Sequence, residues 1–591
     1  MQFLKNVLST VVGLFVFGLL SFFFLLLIAL AVGGSSDEVV NVKDNSVIEL
    51  DLSKVNHDYA GRFSGGKFAF LNDEPKTGLI NVLRALDAAK KDKKIKGITI
   101  TNNHSSLGLS QLKALRDKLA DFKKSGKFVV SYSDVYTQTD YYLNSVADTL
   151  YVNPVGDFEF KGLSSELMFF KDFQEKSGIT MEVIRHGKYK SAVEPFIANE
   201  MSPENREQMS TLLKHLWGSM ITDISASRKI SQDSLNSIAQ NLSARTPELA
   251  KSRGLIDKIG YEDQYRNGIK KALKVKAGDD YEEVSILDYA QANAFNDLVA
   301  NSSNEIAIIY AQGEITSGEG SLTQIGEIAI RNGFKEALEN DDVKAIVLRV
   351  NSPGGNALTS DIIWREVELA KKKKPVVVSM GDYAASGGYY ISCGADRIFA
   401  EANTITGSIG VFGVLPNFNK VATNIGVHAQ TVSTHDNGAE YSVFQPMQEK
   451  TRNVIYQSVE QVYSVFVDRV AKGRKLSPEA VDAIGQGRVW SGTDAKRIGL
   501  IDEIGGLDAA VKYAAKLGKA DKYYTADYPE YEATFDTYLQ NLGKGVSVFQ
   551  SRESLIKQEV GEENYRIIER LRKASQIRGT QAMMPFEINI R

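Results

Sequence analysis

Gly381-Asp382-Tyr383-Ala384-Ala385-Ser386-Gly387-Gly388-Tyr389-Tyr390 follows directly on the apolar run Pro375-Val376-Val377-Val378-Ser379-Met380 and sets a serine among small residues. Upstream, Arg349-Val350-Asn351-Ser352-Pro353-Gly354-Gly355-Asn356 is a second glycine turn, and it too follows an apolar run, Ala345-Ile346-Val347-Leu348. Strand, glycine turn, helix, strand, serine turn, helix is the order predicted, which makes this region α/β. It sets a hydroxyl and free backbone N–H groups at neighbouring strand ends. That suits acyl transfer, in which the nucleophile needs preorganised N–H donors for a developing oxyanion. Pro-Gly-Gly alone is a tight turn and Ser-Gly-Gly alone a strand-to-helix turn; their combination at this spacing carries the functional reading.

The same alternation runs through the first half of the chain. Ser46 to Leu50 reads as a strand, Gly78 to Lys90 as a helix with apolar spacing at Leu79, Val82, Leu83 and Leu86, and Ile95 to Ile100 as a strand. Ser110 to Lys124 reads as a helix and Phe128 to Tyr132 as a strand. Alternating units of this kind predict a parallel sheet.

The body repeats itself. Lys96-Gly97-Ile98 aligns with Lys344-Ala345-Ile346, Tyr141-Tyr142-Leu143 with Tyr389-Tyr390-Ile391, and Gly178-Ile179 with Gly426-Val427, each at an offset of 248. Farther on, the run from Ala250 to Gly260 echoes the run from Ala495 to Gly505 at an offset of 245. Two copies of one domain are expected, with a boundary near residue 300. They differ where chemistry is expected. Gln138 stands opposite Ser386, Ser106 and Leu107 stand opposite Gly354 and Gly355, and Gly438 stands opposite Lys190.

With 591 residues the chain is expected to hold two or three domains. A net charge of −3 gives no footprint for nucleic acid, and a single cysteine, Cys393, read as a buried small side chain, excludes an intrachain disulfide. The six histidines show no metal-ligand spacing, so no metal and no cofactor are expected. Lysine runs such as Lys90-Lys91-Asp92-Lys93-Lys94 and Lys371-Lys372-Lys373-Lys374 read as solvated helix ends. At the N-terminus no charged side chain occurs between Lys5 and Asp37, and Val11 to Val32 is an apolar stretch of 22 residues. That is enough to span a bilayer as a helix. Ala29-Leu30-Ala31 matches a cleavage pattern, but the stretch exceeds the apolar region of a signal peptide, so an uncleaved anchor is the reading. Lys5 before the span and Asp37 and Glu38 after it put the N-terminus in the cytoplasm.

Four pieces together resemble the signal peptide peptidase A (protease IV) family in its long, duplicated bacterial form. They are Ile346 to Gly355, Ala384 to Tyr390, Thr406-Gly407-Ser408-Ile409-Gly410, and Gly187-Lys188-Tyr189-Lys190-Ser191-Ala192-Val193-Glu194-Pro195-Phe196. The resemblance implies two tandem domains of Clp protease/crotonase-like architecture and a serine endopeptidase with a Ser-Lys dyad: Ser386 as nucleophile and Lys190 as general base. Lys188 lies two residues away, and the resemblance selects Lys190 because it directly precedes Ser-Ala-Val-Glu-Pro-Phe. Ser408 matches the position that orients the lysine, and the oxyanion hole is assigned to Gly387 with Gly354 or Gly355. Val411, Phe412, Val414 and Leu415 are candidate pocket walls. A lysine base must be neutral, so its pKa must fall by about three units, roughly 4 kcal/mol, with burial as the usual cause.

The resemblance further implies peptide substrates, above all cleaved signal peptides, and a homotetramer on the bacterial inner membrane with its body on the periplasmic side. The implied organisation is an N-terminus and anchor over 1–36, a repeat supplying the lysine over 37–300, a repeat supplying the serine over 301–525, and a helical tail over 526–591. Within that tail, Ser551 to Ser575 reads as an amphipathic helix. Two rival functions are an acyl-coenzyme A enzyme of the crotonase kind and a membrane scaffold with a dead site.

Overall fold

The computed structural model describes residues 5, 10, 12–24, 42–63, 78–276, 278–297, 302–435, 438, 441–531 and 581–584. Two sheets built on one plan carry the body. The first has the strand order Lys258–Ile259, Thr149–Phe158, Phe128–Tyr136, Ile95–Thr101, Ser46–Glu49, Glu283–Ser285, and every pairing is parallel. The second runs Val489–Ser491, Ile405–Gly407, Val376–Ala385, Val343–Ser352, Glu305–Gln312, Tyr524–Tyr528, and only Val489–Ser491 is antiparallel to its neighbour. Val343–Ser352 and Val376–Ala385 are buried along almost their whole length, because helices cover both faces of a parallel sheet.

The duplication extends to matching helices and caps. Pro203–Arg228 and Glu449–Arg474 are both 26 residues long, and each ends on a lysine in the left-handed region, Lys229 at φ 57° and Lys475 at φ 55°. Ser202 starts the first of them, its hydroxyl accepting from the N–H of Asn205.

A third sheet stitches the repeats together. Its order is Gly320–Ser321, Gln324–Gly326, Glu314–Thr316, Gly354–Asn356, Gln581–Met583, Val411–Asn417, Thr180–His186. Thr180–His186 comes from the first repeat and pairs antiparallel with Val411–Asn417 of the second over seven residue pairs. Buried charge joins the repeats a second time. The guanidinium of Arg349 donates to Asp58 at 2.7 Å, and the side-chain amide of Gln111 donates to the same carboxylate at 2.7 Å. Asp382 accepts from the N–H groups of Ser110 and Gln111, at 2.7 and 3.2 Å, and so caps the helix Leu109–Lys123 of the other repeat.

Two expectations meet the structure differently. The described residues of the apolar N-terminal stretch are helical over 12–24, and residues 11 and 25–32 lie outside the described set. Among the described residues no helix is long and apolar enough to cross a membrane. The tail expected as helical from 526 shows no helix among its described residues, which are strand apart from Pro529 and Met584. Tyr524–Tyr528 crosses the boundary expected at 525, because it pairs in parallel with Glu305–Gln312 and completes the second sheet. Gln581–Met583 is a strand of the third sheet. The helix expected from Ser551 to Ser575 lies outside the described residues.

Candidate active site

Ser386 stands where the strand Val376–Ala385 ends and the helix Gly387–Ser392 begins. Its backbone is at φ 54° and ψ −113°, a region that L-residues with a side chain occupy at a cost and that recurs at functional turns. The turn is held by the Ser386 N–H donating to Gly407 O at 2.8 Å and by the Tyr390 N–H donating to Ser386 O at 2.8 Å. Ser386 is wholly buried.

Lys190 reaches this serine from the other repeat. Thr180–His186 delivers the chain to Gly187, whose φ of 102° turns it, and Lys190 opens the short 3-10 helix Ser191–Val193. Lys190 Nζ lies 2.9 Å from Ser386 Oγ, 3.0 Å from Ser408 Oγ and 3.2 Å from Ser408 O. The lysine has no exposed surface, no ion pair joins it to a carboxylate among the described residues, and burial holds its pKa well below the ordinary lysine value. All three partners are oxygens within donating distance of Nζ; once neutral, the amine keeps two N–H groups for the Ser408 oxygens and a lone pair for the Ser386 hydroxyl. Lys188 is exposed, its ammonium 5.2 Å from the centre of the Tyr189 ring, and takes no part in this cluster.

Ser408 is also buried and also in the left-handed region, at φ 50°, with its N–H donating to Arg488 O at 2.7 Å. Gly354, at φ 102°, faces Gly387. A β carbon at Gly354 would lie 2.8 Å from the Gly387 nitrogen, so only glycine permits the approach. The Gly354 N–H, expected as an oxyanion donor, here donates to Ser352 Oγ at 3.2 Å. Gly355 sits one residue on, where a β carbon would strike the backbone of Ile315, and pairs with Ile315 and with Ala582.

Several supporting residues escaped the sequence reading. Gly487, at φ 80°, packs against the lysine so closely that a β carbon there would lie 2.6 Å from Lys190 Cβ. Gly410 packs beside Lys190 Cδ at 3.2 Å by the same measure. The Gln208 amide donates to Tyr189 O at 3.0 Å and Ser191 Oγ at 2.9 Å, while its carbonyl accepts from the N–H of Val489 in the second repeat at 3.3 Å. The pair Gly485 and Gly487 was the available signal, but nothing in the sequence ties it to a lysine almost 300 residues away. His428 and His435 are both exposed.

An apolar cluster adjoins the site, with the Phe412 ring centre 5.9 Å from Lys190 Nζ. Val193, Phe412 and Val414 are its buried members, with Met181, Val183, Ala192, Phe196 and Met583 packed around them. Of the other two expected wall residues, Val411 belongs to the core of the second repeat and Leu415 is half-buried.

The model of Peptidase family S49 matches this chain twice, over residues 121–276 and 368–521. The chain is 38% identical over 455 residues to Protease 4 of Haemophilus influenzae, covering 75% of this chain and 73% of that one. It is 33% identical over 545 residues to Protease 4 of Salmonella typhi, covering 88% and 87%. It is 34% identical over 435 residues to the chloroplastic serine protease SPPA of Arabidopsis thaliana, covering 72% and 64%.

Proposed function

The chain belongs to peptidase family S49, whose domain it carries twice, and from that premise we propose that it is a serine endopeptidase in which Ser386 is the nucleophile and Lys190 the general base. The observation that carries this reading is the 2.9 Å approach of a fully buried lysine amine to the serine oxygen. A serine hydroxyl attacks a peptide carbonyl only when a base takes its proton, and a lysine does so when burial keeps it neutral.

The steps follow from the geometry. Ser386 Oγ attacks the scissile carbonyl while its proton passes to Lys190 Nζ. The two oxygens of Ser408 hold the amine in line. The developing oxyanion is received by N–H groups at Gly387 and at the Gly354–Gly355 turn, where losing one donor costs about 2.7–4 kcal/mol. The ammonium then returns the proton to the leaving amine, and water resolves the acyl-serine by the same route in reverse. Both repeats, each read as a domain of Clp protease and crotonase architecture, are needed, because each contributes one member of the pair.

The substrates in this reading are apolar peptides, cleaved signal peptides above all, and the apolar wall of Val193, Phe412 and Val414 supports that class. The apolar stretch from Val11 to Val32 is read as an anchor that leaves the body on the periplasmic side of the bacterial inner membrane, in a homotetramer. Turnover of a fluorogenic apolar peptide tests the assignment. Ser386→Ala and Lys190→Ala should abolish it and Lys188→Ala should leave it unchanged; undiminished turnover by Ser386→Ala refutes the reading.

A further inference from the structure

The loop that seats the lysine contains a residue in a costly conformation. Gln486 and Gly487 both lie in the left-handed region, at φ 52° and φ 80°. Glycine goes there freely, whereas glutamine carries a β carbon and goes there at a cost. Such a residue persists only where its surroundings hold it, and Tyr463 is placed to do so. The Gln486 N–H donates to the Tyr463 hydroxyl at 3.3 Å. The Gln486 side-chain amide donates to the same hydroxyl at 3.4 Å and to Asp482 Oδ1 at 2.5 Å. The hydroxyl in turn donates to Asp482 Oδ1 at 2.5 Å. One donor and two lone pairs are all that a hydroxyl has, and each is used. Tyr463 is buried in the core of the second repeat. Burial and the hydrogen bond to Asp482 push its pKa up, so the phenol keeps the proton that it donates.

What Gln486 fixes is the place of the lysine. Its carbonyl accepts from the Tyr189 N–H at 2.9 Å, and a β carbon at Gly187 would lie 2.5 Å from that same oxygen. The next residue is Gly487, the glycine packed on Lys190, whose N–H donates to Ile409 O at 2.7 Å. Arg488 follows, and its carbonyl accepts from Ser408. Three consecutive residues thus touch both the turn that carries the lysine and the segment that carries Ser408. The ring of Tyr463 meets the lysine's turn at its entrance. It stacks on His186, with ring centres 3.7 Å apart and planes at 24°. His186 ends the strand Thr180–His186 directly before Gly187, and its Nδ1 lies 2.6 Å from Glu460 Oε1. Tyr463 and Glu460 both belong to the helix Glu449–Arg474, so one helix of the second repeat braces the lysine's turn in the first.

We propose that Tyr463 is a positioning residue of the peptidase site: its hydroxyl holds Gln486 in the left-handed conformation that presses Gly487 against Lys190, and its ring steadies His186 at the entrance to the lysine's turn. This rests on the peptidase reading. Tyr463 acts through Gln486 and His186, and takes no part in proton transfer. A tyrosine kept for packing alone would lose little on becoming phenylalanine, which retains the ring.

Steady-state kinetics of the full chain on a fluorogenic apolar peptide tests this, with Ser386→Ala measured alongside. Tyr463→Phe should lower kcat by about tenfold, the order of one lost hydrogen bond, with KM little changed. Combining it with Gln486→Gly should recover most of that loss, because glycine needs no partner to stay left-handed. Should Tyr463→Phe fail to fold, the half-buried Gln486 gives the same comparison by itself. Gln486→Ala keeps the β carbon and loses the side-chain tie, and should be about tenfold slower in kcat than Gln486→Gly. An unchanged kcat in Tyr463→Phe, a loss carried by KM, an equal loss with Gln486→Gly present, or equal rates for Gln486→Ala and Gln486→Gly overturns the proposal and leaves the peptidase reading intact. Turnover undiminished in Ser386→Ala removes the peptidase reading, and the proposal with it.

Discussion

Gly487 lies against Lys190 so tightly that its missing side chain is part of the lysine's seat: a β carbon there would come within 2.6 Å of the lysine's Cβ, backbone nitrogen at the same distance, and φ is 80°. The neighbour struck is backbone and the root of a side chain, neither of which can swing aside. Gly487→Ala should therefore displace the amine from Ser386. A misplacement near 1 Å costs about a hundredfold in rate, so kcat should fall by that order with KM little changed. Steady-state kinetics on an apolar peptide checks the split; an unchanged kcat would mean that the seat has no role in catalysis.

The pH profile should report the amine. In the proposed role Lys190 takes a proton only when neutral, and burial depresses its pKa well below the ordinary value of 10.5. kcat/KM should rise with pH along a limb whose midpoint lies well below 10.5 and then level off. Lys190→Arg keeps a charge at every accessible pH, and should show no such limb and activity lower by about 10²–10⁴-fold.

Ser408 supplies both oxygens that hold the amine, at 3.0 and 3.2 Å. Ser408→Ala removes one of them and leaves the backbone carbonyl. A hydrogen bond of this kind contributes about 0.5–1.5 kcal/mol, so kcat should fall by at most about tenfold. Loss as large as that of Lys190→Ala would assign the hydroxyl a direct part in the reaction.

Asp382 should make the junction of the repeats sensitive to pH. Burial pushes its carboxyl up to about 7 from 3.8, and the nearby Asp58 pushes it the same way against the N–H groups it accepts from. The native state thus holds a proton that the unfolded chain has already released. The stability this contributes is complete below about pH 4 and is lost as pH rises through about 7. Asp382→Asn keeps an acceptor for Ser110 and Gln111 and has no proton to lose. Its thermal midpoint relative to wild type should be higher at pH 8 than at pH 5; parallel curves would mean that Asp382 does not titrate in this range.

Much of this site is local in sequence. The serine turn and the glycine turn sit at consecutive strand ends of one sheet, so spacing and apolar runs are enough to find Ser386, Gly354 and Gly387. Lys190 is not local. Nothing in Lys188-Tyr189-Lys190 itself says which amine is buried; the family resemblance selects Lys190, and the fold supplies the reason by packing Gly487 and Gly410 against one and leaving the other in solvent. Asp382 was visible within the serine motif, yet its partners are main-chain N–H groups of another repeat, which no side-chain pattern encodes. The lysine run before Pro375 is more than a solvated helix end. Lys374 Nζ donates to Ala337 O and Asn340 O, at 2.8 and 2.6 Å, and so ties the helix ends together. Cys393 is the buried small side chain expected, its thiol pushed up to about 12 by burial.

The antiparallel seam between Thr180–His186 and Val411–Asn417 gives the duplication a lasting consequence. Copies fused by such a seam cannot drift apart as independent modules: each half made alone would carry a bare sheet edge and one member of the Lys190–Ser386 pair. Two inert fragments, severed near residue 300 and mixed, would have to find each other along that edge before any bond could be cut.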